Sequence, residues 1–263
     1  METKKEREAE PAYGRSDEFR RMRTVPKLWD YGYIGLRNKS NLIREDIKKY
    51  LRGRKDLKIL DVGCETKPYE PYFRGKLKKY IGLDKCDGPN VNIVADALDM
   101  PIKENEFDVV ISTNVSEHVE DYEKYLSEIR RVLKSGGIAF VTIAFMVPVH
   151  SPKHDYWRFT NHAIPKIFKG FKTLSAKPNT TLICTLGDLF NSFIRAAVPV
   201  SPFTDIILKP FFLITNIITL LLNATINAFL RMGVRIAAPG KKNMLETVIY
   251  SAPKNWLIVA QKT

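Results

Sequence analysis

Four short apolar runs in the first half of the chain each end beside a glycine, an aspartate or a serine, and this repeat most constrains the fold. Strands that alternate with helices are typical of a parallel sheet with crossover helices, so we expect an α/β fold. A helix with one apolar face is predicted at 121–134. The predicted strands are 58–62, 80–84, 91–96, 107–112 and, after that helix, 138–145.

The rest of the chain extends this plan at both ends. Ser40 and Asn41 precede apolar residues at helical spacing, which predicts a capped helix at 40–54. Two further strands are predicted at 171–177 and 255–261. The expected segments are a charged tail at 1–26, a core domain at 27–181, a hydrophobic insert at 182–245 and the final core strand within 246–263.

The composition restricts the partners and the compartment. A net charge of +13 favours an anionic partner such as a membrane surface, although a solvated lysine-rich surface has the same charge. A nucleic acid is less expected, because no stacking motif accompanies the basic residues. The three cysteines are too scattered for a disulfide framework, and no metal-ligand spacing is evident. The N-terminus lacks the apolar segment of a secretory signal, so a cytoplasmic location is expected.

Candidate ligand-binding residues lie at the ends of the predicted strands, where open α/β sheets bind their ligands. Gly63 lets the backbone approach a ligand closely. Asp84, about 20 residues further on, is placed to accept hydrogen bonds from two ribose hydroxyls. Asp96 and Ala97 follow the third strand, where a carboxylate can accept a proton from an adenine amine. Plain turn chemistry explains each residue alone, but their order and spacing together favour a nucleoside-containing ligand.

The motifs at these strand ends resemble those of the class I S-adenosylmethionine (SAM)-dependent methyltransferases. The resemblance covers roughly 57–160 and the last strand. It is closest to a branch with a Gly-Cys-Gly-x-x-Pro-Tyr loop and a His-Asp-Tyr-Trp-Arg-Phe-Thr block, here 154–160. The matching stretches are Lys58–Cys64, Ala95–Pro101, Phe107–Val110, Ser116–Asp121 and Glu128–Gly137.

This resemblance implies a Rossmann-like fold with a mostly parallel seven-stranded sheet, an antiparallel last strand and SAM as the cofactor. Glu65 departs from the family, which has glycine at that position. A left-handed backbone there is strained for glutamate, and its carboxylate lies near the cofactor's own carboxylate. The implied cofactor-binding residues are Asp61, Gly63, Cys64, Glu65, Asp84, Asp96, Ala97, Thr113, Asn114 and His118.

The block after the fifth strand borders the ligand side of the sheet and supplies the catalytic candidates. His150 or His154 is a candidate general base, and Asp155 is placed to orient a histidine or an acceptor hydroxyl. Arg158 is a candidate for holding an anionic group. The alternative is a loop held by packing of Trp157 and by an Asp155–Arg158 pair. The aromatic stretch 29–33 is either a lid over the pocket or part of a helix on the sheet edge.

The insert contains an uncharged run at 210–230 that is long enough to span a bilayer. A single crossing is disfavoured, because the strands at 171–177 and 255–261 are expected to pair in one sheet. The run is therefore interpreted as an in-plane membrane contact, a lid, a homodimer interface or a buried core helix.

We expect methyl transfer from SAM to an unidentified acceptor that is lipid-linked, saccharide or otherwise amphipathic. The competing hypothesis is a catalytically degenerate methyltransferase fold that serves as a binding or scaffold protein at the membrane surface. Glu65 is the main feature in its favour.

Overall fold

The computed structural model describes residues 17–150, 153–199, 201–237 and 242–263. The strands are β1 (Leu57–Val62), β2 (Leu77–Asp84), β3 (Ile93–Val94), β4 (Phe107–Thr113), β5 (Leu133–Ala144), β6 (Phe171–Pro178) and β7 (Asn255–Lys262). The helices are α1 (Asp17–Thr24), α2 (Tyr33–Tyr50), α3 (Tyr122–Val132), α4 (Ile164–Ile167), α5 (Leu182–Ala197), α6 (Pro202–Ala237) and α7 (Lys242–Ile249).

The strands form one seven-stranded sheet in the order β3-β2-β1-β4-β5-β7-β6. The pairs from β3 to β5 are parallel, and β7 is antiparallel to both of its neighbours. This confirms the predicted fold class. The carboxyl ends of β1, β2, β4 and β5 lie along the same edge, which brings the loops that follow them together.

Helices cover both faces of the sheet, so its central strands are apolar in almost every position. On one face Tyr125 and Ile129 of α3 pack against β4 and β5. On the other face Ile43 and Ile47 of α2 pack against β1 and β4. The rigid sheet between these layers fixes the positions of the loops at its edge.

The structure corrects two predictions near the N-terminus. Residues 1–16 of the predicted tail lie outside the described residues, but 17–24 form α1, and Met22 and Arg23 on it are buried. Helix α2 begins at Tyr33 and not at Ser40. Ser40 is instead buried within the helix, where its hydroxyl lies 2.6 Å from the Tyr72 hydroxyl. It donates to the Thr24 oxygen at the end of α1 (2.9 Å) and does not cap the start of α2.

The insert forms the helices α5, α6 and α7, and the last of these runs past the predicted boundary at 245 to Ile249. Helices α5 and α6 cross closely at Gly187, which has no side chain; a Cβ atom there would collide with the Thr219 side chain. The Asn216 amide donates to the backbone oxygens of Leu28 (2.8 Å) and Asp30 (3.0 Å), which anchors the middle of α6 to the core.

Helix α6 is long and apolar enough to cross a membrane over Pro202–Val234, yet only 22% of its most apolar window is buried. A buried core helix therefore does not describe it. The buried positions Leu208, Phe212, Asn216 and Thr219 form one stripe that faces the protein. Large apolar side chains of α5 and α6 point to solvent and form what we call the apolar face: Phe190, Phe193, Phe203, Ile206, Ile214, Ile218, Leu221 and Phe229.

Candidate functional site

The loop after β1 has the backbone that a close ligand approach requires. Gly63 adopts φ +71°, and a Cβ atom there would collide with the Val115 side chain. The amides of Gly63 (2.8 Å) and Cys64 (3.1 Å) both donate to the Leu83 oxygen at the end of β2. The Cys64 side chain is buried beneath the loop, and burial raises the pKa of its thiol, so it serves packing there.

Two acids at strand ends border this loop. Asp84 Oδ2 accepts a hydrogen bond from the Glu65 amide (3.0 Å), and Oδ1 accepts one from the Cys86 amide (3.0 Å). Asp96 is exposed and accepts a hydrogen bond from the Leu98 amide (2.8 Å), while Ala97 is buried beside it. Each carboxylate keeps further lone pairs, so both remain suited to accept bonds from a ribose and an adenine amine.

Glu65 has φ +43°, the left-handed backbone expected where the family has glycine. Its carboxylate is 3.0 Å from the guanidinium of Arg23 on α1. The charge of Glu65 is therefore balanced within the protein. Arg23 belongs to a stretch that was predicted to be a tail, and only the folded structure shows that it reaches the loop.

A second cation lies at the same edge. Lys39 of α2 is buried, and burial lowers the pKa of its ammonium group to about 7. Its ammonium group donates a hydrogen bond of 2.9 Å to the side-chain oxygen of Asn114, a neutral acceptor that follows Thr113 of β4. The carboxylates of Glu117 and Glu65 act on it electrostatically without a hydrogen bond among the described residues. Sequence analysis did not single out Lys39, because a lysine in an amphipathic helix is typical of a solvated position.

Asp61 lies near the end of β1 and is buried. Burial raises the pKa of its carboxyl group to about 7, against the opposing effect of a hydrogen bond that the Tyr80 hydroxyl donates to it (2.7 Å). This places Asp61 beneath the loop as a support and not in contact with solvent.

The block after β5 adopts the alternative arrangement that the sequence left open. Arg158 donates both to Asp155 (Nη2 to Oδ2, 2.8 Å) and to the backbone oxygens of Val147, Pro148 and Trp157. A guanidinium has five N–H donors, and these contacts together with the second Asp155 oxygen use all of them. Arg158 therefore has no donor left for an anionic acceptor group, and Asp155 holds the loop.

Trp157 confirms the packing part of that arrangement. Its indole N–H donates to the Val119 oxygen (2.9 Å), and its ring stacks on Phe159 with a centroid separation of 6.0 Å. The loop is thereby tied to the segment between β4 and α3. His154 lies in the same loop, where its Nδ1 is 3.3 Å from the Tyr156 hydroxyl.

His118 and His150 meet beside this loop, with their Nε2 atoms 3.1 Å apart. His118 Nδ1 is 2.6 Å from the His154 oxygen, and His150 Nδ1 is 3.1 Å from the Pro148 oxygen. Because a carbonyl oxygen only accepts, both Nδ1 atoms carry the hydrogen, and each Nε2 atom offers a lone pair when its ring is neutral. Glu117, which was not among the candidates, lies next to them with a fully buried side chain.

The stretch 29–33 leads into α2, and only its last residue, Tyr33, belongs to that helix. It forms a turn in which Asp30 pairs with Arg21 (2.9 Å), and the Tyr31 ring contacts Phe212 of α6 with centroids 6.3 Å apart. A cavity of about 110 Å³ lies between this turn, α1 and α6, and it includes no residue of the loop at 63–65.

Comparisons with known proteins agree with this architecture. Residues 60–141 match the family model of the methyltransferase domain. The demethylmenaquinone methyltransferase of Staphylococcus carnosus is 30% identical over 144 residues, which cover 48% of this chain and 60% of the relative. The ajmaline N-methyltransferase of Rauvolfia serpentina is 33% identical over 114 residues, covering 37% and 38%. The chain thus spans about half the length of the curated relatives it matches.

Solved structures share the fold at low identity. A protein of Galdieria sulphuraria described as a sarcosine dimethylglycine methyltransferase is 15% identical, with a TM-score of 0.50 and coverage of 87% of this chain and 88% of that one. The cyclase SpnF is also 15% identical, with a TM-score of 0.51 and coverage of 88% and 83%. These neighbours show the fold alone, because one fold supports different reactions.

Residues 60–141 thus match the methyltransferase domain, and the sheet has the fold of the class I methyltransferases, a class whose cofactor is SAM. The residues present fit this cofactor. The absence of a side chain at Gly63 lets a ligand come close to the backbone of the loop. Asp84 can accept further hydrogen bonds. The ammonium of the buried Lys39 is hydrogen-bonded to a neutral oxygen and can also bind a carboxylate.

Proposed function

We propose that the protein is a SAM-dependent methyltransferase. The observation that carries this proposal is the buried ammonium of Lys39, which lies at the carboxyl edge of the sheet with only a neutral hydrogen-bond acceptor. Glu117 and Glu65 favour the charged form of Lys39 electrostatically, but neither is hydrogen-bonded to it among the described residues. A buried cation without a directly bonded anion is costly, and the carboxylate of the cofactor's methionine would supply one. Asp84 would hold the ribose, and Asp96 with Ala97 would hold the adenine.

When bound, SAM would supply a methyl group on a sulfonium: a bond forms between the acceptor and the methyl carbon as the carbon–sulfur bond breaks, and S-adenosylhomocysteine leaves. The protein has to align the acceptor and remove its proton. The two Nε2 lone pairs of His118 and His150 are suited to the second task, because they lie on the same edge as the cofactor loop. Arg158 and Asp155 would shape the acceptor side by fixing the loop that carries His150.

We propose an amphipathic acceptor, lipid-linked or saccharide-bearing, that is met at a membrane surface in the cytoplasm. The support is the apolar face of α5 and α6 together with the net charge of +13. Such a face is larger than the scattered apolar residues of ordinary surfaces, and a basic protein is attracted to anionic lipids. The scaffold alternative is not favoured, because the Arg23 ion pair neutralises the feature on which it depended.

Calorimetric titration of the full chain with SAM and with S-adenosylhomocysteine tests the cofactor. Both should bind, and Lys39→Met should weaken both, because they share the carboxylate. Lys48→Met on the outer part of α2 is the matched control and should leave the affinity unchanged. Absence of binding of either compound to the natural chain would contradict the proposal.

The acceptor is tested by incubation with methyl-labelled SAM and fractionated cell extract. Label that accumulates in the lipid fraction would support an amphipathic acceptor. Label confined to nucleic acid or to small water-soluble molecules would overturn that part while leaving methyl transfer intact.

A further inference from the structure

Glu117, His118 and His150 bring three ligand atoms together at the carboxyl edge of the sheet. One carboxylate oxygen and one nitrogen of each ring all lie within 4.8 Å of one another. Glu117 and His118 follow the end of β4, and His150 follows the end of β5, so two neighbouring parallel strands set their separation. Sequence spacing did not reveal the group, because 32 residues separate the two histidines.

The state of the two imidazoles is the first reason to infer a ligand. Both Nδ1 atoms donate to backbone oxygens, so two lone pairs point at each other across 3.1 Å. Two lone pairs at this distance repel unless one ring takes up a proton and donates it to the other, or a metal ion lies between them. Two nitrogens bound to one tetrahedral metal ion at about 2.05 Å are roughly 3.3 Å apart, close to the separation seen here.

The buried carboxylate is the second and independent reason. Glu117 is fully buried, and its Oε1 has no hydrogen-bond partner among the described residues. Its Oε2 is 3.2 Å from the Ser116 hydroxyl that donates to it. Lys39 and Arg158 act on this carboxylate electrostatically, but neither donates a hydrogen bond to Oε1 among the described residues. A buried carboxylate oxygen without a direct partner is costly, and metal coordination would supply that partner.

Neighbouring carbonyl and carboxylate groups orient the two imidazole rings, as the groups that surround the ligands of known metal sites do. The His154 carbonyl fixes the ring of His118, and the buried carboxylate of Asp155 is 3.3 Å from His150 Nδ1. Asp155 is itself held by Arg158. Outer carbonyls and carboxylates that bind the far nitrogen of a histidine set its tautomer and strengthen it as a ligand.

We propose that Glu117, His118 and His150 form a site for one divalent transition-metal ion, with Zn²⁺ as the reference ion. Two histidines and one carboxylate leave a coordination position open, which is the arrangement of catalytic rather than structural metal sites. His150 is partly exposed, so the open position is accessible. Resting on the proposed function, this site would bind the acceptor through a hydroxyl or phenol oxygen and lower the pKa of that group, so that its proton passes to water. With the ion bound, the two imidazoles would act as ligands and not as the base. The methyl acceptor would then be an oxygen and not an amine.

The test is calorimetric titration of the chelator-treated full chain with Zn²⁺. We expect one ion per chain at this site, and at least tenfold weaker binding in His150→Ala, whose side chain is near the surface and whose loss should not prevent folding. Glu117→Gln should weaken binding similarly. His162→Ala, the histidine outside the cluster, and His154→Ala, which retains the carbonyl that orients His118, should both bind as the natural chain does.

Equal Zn²⁺ affinity in His150→Ala and the natural chain would overturn the proposal, since the ion would then bind elsewhere, for example at Cys86. Failure to bind any ion would also overturn it. SAM titration of the same chelator-treated samples separates the two ideas, because the proposed cofactor contacts of Lys39, Asp84 and Asp96 do not require the metal ion. A protein that binds SAM and no metal retains the proposed function and loses only this site.

Discussion

Arg23 and Glu65 form an ion pair at 3.0 Å that joins the first described helix to the cofactor loop. The pair is two-thirds or more removed from solvent, so it is less screened than a surface pair. It also has two consequences. It compensates the charge that Glu65 introduces at a glycine position, and it uses a cation that would otherwise be available to the cofactor's carboxylate.

Glu65→Gly is therefore expected to tighten SAM binding. The reason is that the change releases Arg23, whose charge then becomes available to the cofactor's carboxylate. Relief of the left-handed strain at this position, roughly 1 kcal/mol, stabilises the free and bound protein alike. About fivefold tighter binding by calorimetry is the expected result, and the gain should shrink in an Arg23→Met background. Weaker binding of SAM with unchanged binding of S-adenosylhomocysteine would mean instead that Glu65 stabilises the sulfonium.

The order of the core elements could be predicted from the sequence because each strand and helix has its own local apolar pattern. The carboxyl-edge positions of Gly63, Asp84 and Asp96 followed from that order, since parallel strands end at one edge. Arg23, Lys39 and Glu117 could not be found in this way. Their roles depend on contacts with residues that lie far away in the sequence: Glu65, Asn114 and His150 are 42, 75 and 33 positions away, respectively. A local sequence pattern does not predict such contacts.

The arrangement of the block at 154–160 shows a different limit. The sequence placed an acid and an arginine three residues apart in a loop, and both a ligand-binding role and an internal ion pair fit that spacing. The structure decides for the pair, because neighbouring backbone oxygens occupy the remaining donors of Arg158. Such carbonyl positions depend on how the loop folds and not on which residues it contains.

Asp84→Ala should weaken SAM binding by about 1.5–3 kcal/mol, the range for a lost charge-assisted hydrogen bond. The same change leaves the Glu65 amide without its acceptor, so the loop is affected as well. Asp99→Ala, an exposed acid at the same end of the sheet, is the matched control. Calorimetry on both variants measures the difference, and unchanged affinity in Asp84→Ala would remove the ribose assignment.

Lys39 should make SAM binding depend on pH above neutrality. Its pKa of about 7 means that the free protein loses this charge as the pH rises through 7. A bound carboxylate favours the ammonium and raises that pKa, so binding takes up a proton, and the affinity falls as the pH rises from about 7 to 9. Calorimetry at pH 8 in buffers of different ionisation enthalpy measures the uptake.

Lys39→Met should bind SAM more weakly and lose this proton uptake. Ionisation of the cofactor itself is common to both proteins and cancels in the comparison. Identical proton uptake in the two proteins would show that Lys39 does not contact the cofactor's carboxylate.

Asp155 should contribute stability that is lost in acid. The hydrogen bonds from Arg158 lower the pKa of Asp155 to about 2, so the folded state favours the ionised form. The contribution is complete above the ordinary aspartate pKa near 4 and is lost as the pH falls from about 4 to 2, on the order of 2 kcal/mol. Denaturant unfolding across that interval should show a steeper loss for the natural chain than for Asp155→Asn. Equal slopes would mean that the pair does not stabilise the loop.

The apolar face of α5 and α6 should bind the protein to anionic membranes. Phe193, Phe203 and Ile206 are each about 70% exposed, and Lys209 lies exposed beside them. Inserting such side chains into the interface removes apolar area from water, and each nearby basic residue adds about 1 kcal/mol with anionic lipid. Co-sedimentation with vesicles of phosphatidylcholine and phosphatidylglycerol should therefore retain the natural chain at low salt and release part of it at high salt.

The triple variant Phe193→Ser, Phe203→Ser, Ile206→Ser should remain in the supernatant, because its changes fall on side chains that face solvent and leave the buried stripe of α6 intact. Val94→Ser, an exposed apolar residue on β3 at the far edge of the sheet, is the control and should sediment as the natural chain does. If the natural chain stays in the supernatant as a dimer that the triple variant dissociates, the apolar face is a subunit interface. If it stays there as a monomer, the apolar face forms neither a membrane contact nor a dimer interface. The protein would then have to bind an amphipathic acceptor without itself binding to a membrane.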